Sequence, residues 1–162
     1  MELAMLFNID EVLAMAQQIE RNGANFYRQA ADIAKEADVK ELLAKLAEWE
    51  AGHEQLFSRI RGELADKQSS PTVDPDSEAE YYLRFMADEH VFGPGSKPAK
   101  ILAGCQGSND IIDVALAFEK DTIMFFVAMK NAMPSSDMVP HVERLIREEF
   151  EHIAYLHKKR RG

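Results

Sequence analysis

The chain has 162 residues, 46% of them hydrophobic, with a formal net charge of -9 and a pI near 5.0. This length and apolar content predict one domain, residues 1–162, with a substantial core. The acidic balance argues against a nucleic-acid surface, and no apolar run is long enough to span a membrane, so we expect a cytoplasmic protein. Cys105 is the only cysteine, which excludes an internal disulfide, a CxxC pair and a four-cysteine iron site.

In chain order, four long segments show helical periodicity and none shows a sustained strand pattern, which predicts an all-α fold. The predicted helices lie near residues 9–36, 38–66, 108–132 and 136–159. Candidate N-cap or starting residues are Asp38, Ser108 or Asn109, and Ser136 or Asp137. Pro134 supplies a break before the fourth helix. The short connections within each pair predict two antiparallel helical hairpins.

A stretch of about forty residues separates the two hairpins and contains several prolines and glycines. The segment "DSEAEYYLRFMADEHVF" within it predicts a short helix. The whole pattern indicates a four-helix bundle of two hairpins joined by one long crossover.

The last helix carries ionisable residues on the stripe that should face the core. In "RLIREEFEHIAYLHKK", Glu149 and His152 follow Leu145 and precede Leu156 at spacings of three and four. An unpaired carboxylate in an apolar interior costs several kcal/mol, so these side chains need partners.

The first hairpin repeats this arrangement. Glu50 and His53 lie on an inward stripe of "LAKLAEWEAGHEQLFSRI", and the first and third helices each insert one glutamate, Glu20 and Glu119, into their own stripes. The two hairpins align without a gap at an offset of 99 residues, which indicates an internal repeat. That alignment pairs Glu20 with Glu119, Glu50 with Glu149, and His53 with His152.

Antiparallel pairing brings these six side chains to about the same level of the bundle. Four ionised glutamates would balance two divalent cations, and two neutral histidines would each add a nitrogen ligand. The pattern therefore predicts a carboxylate-bridged dinuclear metal site. One glutamate from each of two helices and a Glu-x-x-His from each of the other two is the arrangement of ferritin-like di-iron and di-manganese proteins.

The sequence resembles the rubrerythrin-like branch of the ferritin-like superfamily over nearly its whole length. The resemblance is carried by "IERNGANFYRQAA", "FEKDTIMFF", "EWEAGHEQLF" and "EEFEHIAYL". It implies the metal ligands Glu20, Glu50, His53, Glu119, Glu149 and His152, with Glu50 and Glu149 as bridges. It also implies that Tyr27 hydrogen-bonds near the site, that the metal is iron reacting with hydrogen peroxide or oxygen, and that the protein is a homodimer.

Two departures from that family concern the reaction. Peroxidase rubrerythrins usually have a second glutamate three residues after the third-helix ligand, where this chain has Thr122. They also usually carry a rubredoxin domain, which one cysteine cannot form. We therefore expect any electrons to come from a separate donor protein.

Several alternatives remain open at this level. The site could serve as a ferroxidase or in iron handling, or the bundle could be a binding protein with a structural metal. Manganese or zinc could replace iron. Asp88, Glu89 and His90 in the crossover could also bind a metal, although a solvated helix end is the favoured interpretation. His141 and His157 are expected at solvated helix ends, and "DTIMFFVAMKNAM" in the core or at a dimer interface.

Overall fold

A computed structural model describes residues 9–66, 81, 83, 85, 86, 88, 90–93, 95–132 and 137–162. All regular secondary structure in these ranges is helical, which confirms the predicted all-α class. The helices are α1 (Ile9–Ile33), α2 (Ala37–Asp66), α3 (Pro98–Ala103), α4 (Ser108–Ala132) and α5 (Val139–Lys159). The four long ones form the four-helix bundle. No helix of the described ranges combines the length and the apolar character that a membrane span needs.

The two hairpins form as their sequence pattern predicts. Residues 34–36 join α1 to α2, and these helices pack along each other, as do α4 and α5. Each long helix has an apolar stripe at three- and four-residue spacings, and the stripes meet in one hydrophobic core. The bundle is therefore held by burial of these stripes, with the ionisable layer inside it.

The expected N-terminal caps are partly wrong. Ser108 does begin α4, but Asp38 lies inside the first turn of α2, which begins at Ala37. Asp137 is a turn residue, and the N-cap position of α5 is Met138, whose side chain makes no capping hydrogen bond. Pro140 lies in the first turn, where its fixed φ favours helix initiation without a polar cap. Ser136 and Pro134 lie outside the described residues.

The crossover runs against α1 and α4. Its described residues between 81 and 88 are helical, in agreement with the short helix predicted there, whereas α3 was not expected. The amide of Asn22 donates to the carbonyls of Phe92 (3.2 Å) and Gly93 (3.0 Å), and the amide of Val91 donates to Asp121 (2.9 Å). These bonds fasten the crossover across both hairpins.

His90 is buried, so the interpretation of this segment as a solvated helix end is wrong for His90. Asp88 is exposed as expected, and Glu89 lies outside the described residues. His90 is drawn inward because the crossover is tied down at Asn22 and Asp121. Of the other secondary candidates, His141 and His157 are exposed as expected.

An aromatic cluster lies next to the ionisable layer. The ring of Phe118 packs edge-on against Tyr27, with centroids 5.8 Å apart, and at a tilt against Phe92, with centroids 5.0 Å apart. Gly23 makes room for it, because a Cβ on Gly23 would lie 2.8 Å from Cε1 of Phe118. Within "DTIMFFVAMKNAM", Phe126 is fully buried in the core while Met124 is half exposed.

Candidate metal centre

The structure brings all six predicted ligand side chains into one layer at the centre of the bundle. Each of the four long helices contributes, and every one of the six is buried. They are Glu20 of α1, Glu50 and His53 of α2, Glu119 of α4, and Glu149 and His152 of α5. The apolar stripes around them explain why these charges lie inside: the same helix faces that build the core carry them.

Each imidazole directs its Nδ1 at three carboxylates. Nδ1 of His53 lies 3.4 Å from Glu20, 3.1 Å from Glu50 and 3.0 Å from Glu149. The other imidazole, His152, has its Nδ1 3.0 Å from Glu50, 3.5 Å from Glu119 and 2.8 Å from Glu149. The two halves of the layer thus have matching geometry.

The two central carboxylates belong to both halves. Glu50 places Oε2 near His53 and Oε1 near His152, and Glu149 places Oε1 near His53 and Oε2 near His152. Two overlapping groups result, each able to hold one metal ion. They are Glu20, Glu50, His53 and Glu149, which we call site A, and Glu50, Glu119, Glu149 and His152, which we call site B.

The donor set fits a pair of divalent cations. Among the described residues, seven buried side-chain atoms of the layer have no hydrogen-bond partner: both oxygens of Glu20 and Glu149, Oε1 of Glu50, Oε2 of Glu119 and Nδ1 of His152. Several lie close to one another without hydrogen-bond geometry, as Nδ1 of His152 and Oε1 of Glu50 do at 3.0 Å. A buried polar atom without a hydrogen-bond partner is costly. A metal ion would provide a shared partner for these converging oxygen and imidazole donors.

The pKa shifts of the layer favour holding protons when no cation is bound. Burial raises the pKa of Glu20 and Glu119 well above the usual carboxyl value, and the charge of Glu50 raises both further. Although burial opposes it, the surrounding carboxylates raise the pKa of His53 and His152. Protonated outer carboxyls would therefore be neutral, the protonated imidazoles would offset the ionised central carboxylates, and cations would displace these protons.

Tyr27 makes the hydrogen bond that the resemblance implied. Its hydroxyl donates to Oε1 of Glu119 at 2.5 Å, fully buried. Burial, together with the charge of Glu119, raises the pKa of Tyr27 well above its usual value, so the phenol keeps its proton. The hydroxyl fixes one oxygen of Glu119 and leaves Oε2 directed at the layer.

Thr122 and His90 form a second buried pair beside the layer. The peptide N–H of Phe92 donates to Nδ1 of His90, so Nε2 carries the hydrogen and donates to the hydroxyl of Thr122 at 2.9 Å. Burial lowers the pKa of His90 to about 4, which keeps this ring neutral near pH 7. The position of the extra glutamate of peroxidase rubrerythrins is thus occupied by a hydroxyl engaged with the crossover.

Two further neighbours were missed from the sequence. Glu148 accepts a hydrogen bond from Nε2 of His53 at 2.9 Å, and the indole of Trp49 stacks on the ring of His152. Each residue directly precedes a central glutamate, and the two align at the repeat offset of 99 residues. The internal repeat marks these two positions as equivalent in the sequence, but helical spacing alone predicts neither contact.

A groove of about 480 Å³ between α2 and α5 opens onto the layer from outside. The edges of His53 and His152 lie along it, with Trp49, Tyr155 and Arg59 at its walls. The groove brings solvent and small molecules close to the two imidazoles.

Comparison with known proteins agrees with the site. The sequence profile of the Rubrerythrin family matches residues 11–159. The chain belongs to the rubrerythrin family. A solved structure from Thermotoga maritima, described as a ferritin-like diiron-carboxylate protein, superposes on this rubrerythrin-family chain with a TM-score of 0.71. It is 20% identical and covers 97% of both chains, which shows the shared ferritin-like fold. No curated protein matches the chain significantly.

Proposed function

We propose that this chain is a non-haem di-iron carboxylate protein, an oxidoreductase that reduces hydrogen peroxide or oxygen with electrons from a separate donor. The observation that carries the proposal is the pair of overlapping three-carboxylate, one-histidine groups, buried in the bundle. All six predicted residues would then be ligands, and Glu50 and Glu149, which belong to both groups, would be the shared carboxylates.

The choice of iron over other metals rests on the family and on the related solved structure, because the ligand types do not decide it. Carboxylate and imidazole donors suit iron and manganese, and zinc can occupy the same atoms. The Thermotoga protein that shares the fold is described as a diiron-carboxylate protein. The proposal therefore takes two iron ions per chain as the cofactor, with manganese and zinc as competitors in the metal analysis.

Iron bound in this layer would supply the electrons that cleave an oxygen–oxygen bond. The chain's own residues then have definable tasks. The central carboxylates would hold both ions, and the apolar faces around them keep bulk water out. Tyr27 holds Glu119 in orientation and retains a proton beside the layer. The groove over the two imidazoles admits a molecule as small as peroxide.

We place the source of the electrons in a separate protein. Cys105 is the single thiol, so no four-cysteine iron centre is built into this chain. The proposal includes a donor protein that reduces the iron between turnovers. It also includes a homodimer, which light scattering of the purified protein tests directly.

A second candidate is a ferroxidase or iron-handling role, favoured by Thr122. Peroxidase rubrerythrins usually have a glutamate at that position, and here a hydroxyl bonded to His90 occupies it. A ferroxidase would oxidise iron with oxygen and continue to take up iron beyond two ions per chain. The peroxide reductase would stop at two.

The test is anaerobic loading with ferrous iron, followed by one equivalent of peroxide or of oxygen in a stopped-flow absorbance experiment. We expect two irons per chain and reoxidation by peroxide much faster than that of free ferrous iron. Glu119→Gln should abolish this acceleration, and Glu63→Gln, at an exposed glutamate of α2, should preserve it. Preference for oxygen with continued uptake would establish the ferroxidase. Two tightly held ions indifferent to both oxidants would indicate a structural metal in a binding protein.

A further inference from the structure

The internal repeat places two unlike residues at equivalent positions beside the metal layer. Glu148 precedes Glu149 on α5, and Trp49 precedes Glu50 on α2. Each contacts the histidine of the opposite hairpin: Glu148 reaches His53, and Trp49 reaches the other imidazole. The two sites thus share their ligand types but differ in what supports their histidines.

Site A has a carboxylate behind its imidazole. Oε2 of Glu148 accepts the Nε2–H of His53 at 2.9 Å, so that once the ring is neutral the lone pair lies on Nδ1, the atom that faces the layer. Arg144 holds the other oxygen of Glu148 at 2.8 Å. That guanidinium is mostly exposed, so solvent screens much of its charge, while the glutamate side chain is 32% exposed. A carboxylate–histidine pair of this kind makes the imidazole a stronger metal ligand.

Site B has an aromatic ring in the same place. The indole of Trp49 lies nearly parallel to the imidazole of His152, with 5.0 Å between centroids and 7° between planes. In the described part of the chain no acidic side chain pairs with Nε2 of His152. A stacked indole fixes the ring plane but adds neither a negative charge nor a proton acceptor behind the imidazole. The imidazole of site B is oriented without being made more basic.

We propose that Glu148 is a positioning residue that makes site A the tighter metal site, so that site A fills first and site B, marked by Trp49, fills second. The inference rests on the dinuclear metal site of the proposed function, but not on any turnover. Outer carboxylates of this type are typically worth about 10- to 100-fold in metal affinity. The two ions should therefore bind in resolved steps.

Trp49 makes the order of binding visible, because it is the chain's only tryptophan. Its indole stacks on the site B histidine, whereas the site A histidine lies one ring further, at 5.7 Å from His152. A paramagnetic ion such as Co²⁺ should quench its emission most strongly from site B. The experiment is an anaerobic Co²⁺ titration of the metal-free protein, followed by tryptophan fluorescence and by calorimetry.

We expect the wild type to bind two ions in two phases, with the first at least 10-fold tighter and most of the quenching in the second. Glu148→Gln should weaken the first phase about 10- to 100-fold, so that quenching begins with the first equivalent. Glu151→Gln removes the same charge from an exposed residue of α5 and should behave as wild type. Circular dichroism establishes that both variants are folded.

Other outcomes of the titration would refute either the unequal sites or the dinuclear site itself. If Glu148→Gln and Glu151→Gln titrate alike with two ions bound, or if the first equivalent quenches the wild type fully, the unequal sites are refuted and the dinuclear site stands. If only one ion binds to the wild type, the dinuclear site of the proposed function fails, and the inference fails with it.

Discussion

The two hairpins supply the same ligands and surround them differently. Glu119 receives the hydroxyl of Tyr27, whereas Phe126 stands at the position equivalent to Tyr27 and cannot donate to Glu20. Behind the histidines, a carboxylate on one side corresponds to an indole on the other. Charge balance with two cations constrains the six central side chains, but it places no such demand on the residues behind them. The neighbours are therefore where the two halves acquire separate roles.

The largest effect is expected from removing a side chain that both metal sites share. Glu50→Ala takes one oxygen from each site, so both ions should be lost. His53→Ala takes a ligand from site A alone and should leave one ion bound. Metal analysis after gel filtration measures the content, with Glu63→Gln as the exposed control. Retention of two ions by Glu50→Ala would contradict the bridging role.

Lowering the pH should weaken both halves together. The pKa values of Glu20, Glu119, His53 and His152 are raised, by burial for the carboxyls and by carboxylate neighbours for the imidazoles. Because these groups must lose their protons to bind metal, affinity should rise with pH and fall as the solution is acidified. Two ions should release protons from the imidazoles, and at lower pH from the outer carboxyls as well, as measured with a pH indicator in weakly buffered solution. Binding without proton release near pH 7 would refute this protonation pattern.

Equivalent positions of the repeat also differ in packing. Gly23 aligns with Thr122, but Gly23 lies directly against the ring of Phe118, whereas Thr122 meets the imidazole of His90 through a hydrogen bond of its hydroxyl. Gly23→Ala should lower the free energy of unfolding by about 1 to 3 kcal/mol, because the buried ring cannot move aside freely. Gly62→Ala, where nothing lies within 4 Å of the new Cβ, should raise it by up to about 1 kcal/mol through helix propensity. Urea unfolding measures both, and equal shifts would contradict the close approach.

Site B can be given the kind of residue that supports the histidine of site A. Trp49→Glu should place a carboxylate behind His152 and tighten the second ion about 10-fold, which is about 1.4 kcal/mol. Trp49→Gln removes the indole without adding charge and should leave that affinity unchanged or weaker. Competition with a chromophoric chelator measures both. Equal affinities in the two variants would show that the charge is not what matters.

The sequence predicted the bundle and its central layer because both depend on periodicity. Spacings of three and four decide which face of a helix is buried, and the two Glu-x-x-His pairs on such faces had to meet. The positions of His90, Glu148 and Trp49 could not be predicted in this way. His90 is buried because the crossover is tied to Asn22, and Glu148 reaches across helices from the edge of its own stripe. Such contacts depend on tertiary docking and rotamers, which local pattern does not encode.

The match between the two halves has a consequence for how such a chain could arise. Glu50 and Glu149 direct their oxygens at the two imidazoles with Oε1 and Oε2 exchanged, as if related by a two-fold axis through the centre of the layer. Two copies of one hairpin, each with a glutamate and a Glu-x-x-His, would generate all six ligands by symmetry alone. Duplication and fusion of a short ancestral segment would then give a ready-made cluster, and the crossover is the linker that such a fusion requires.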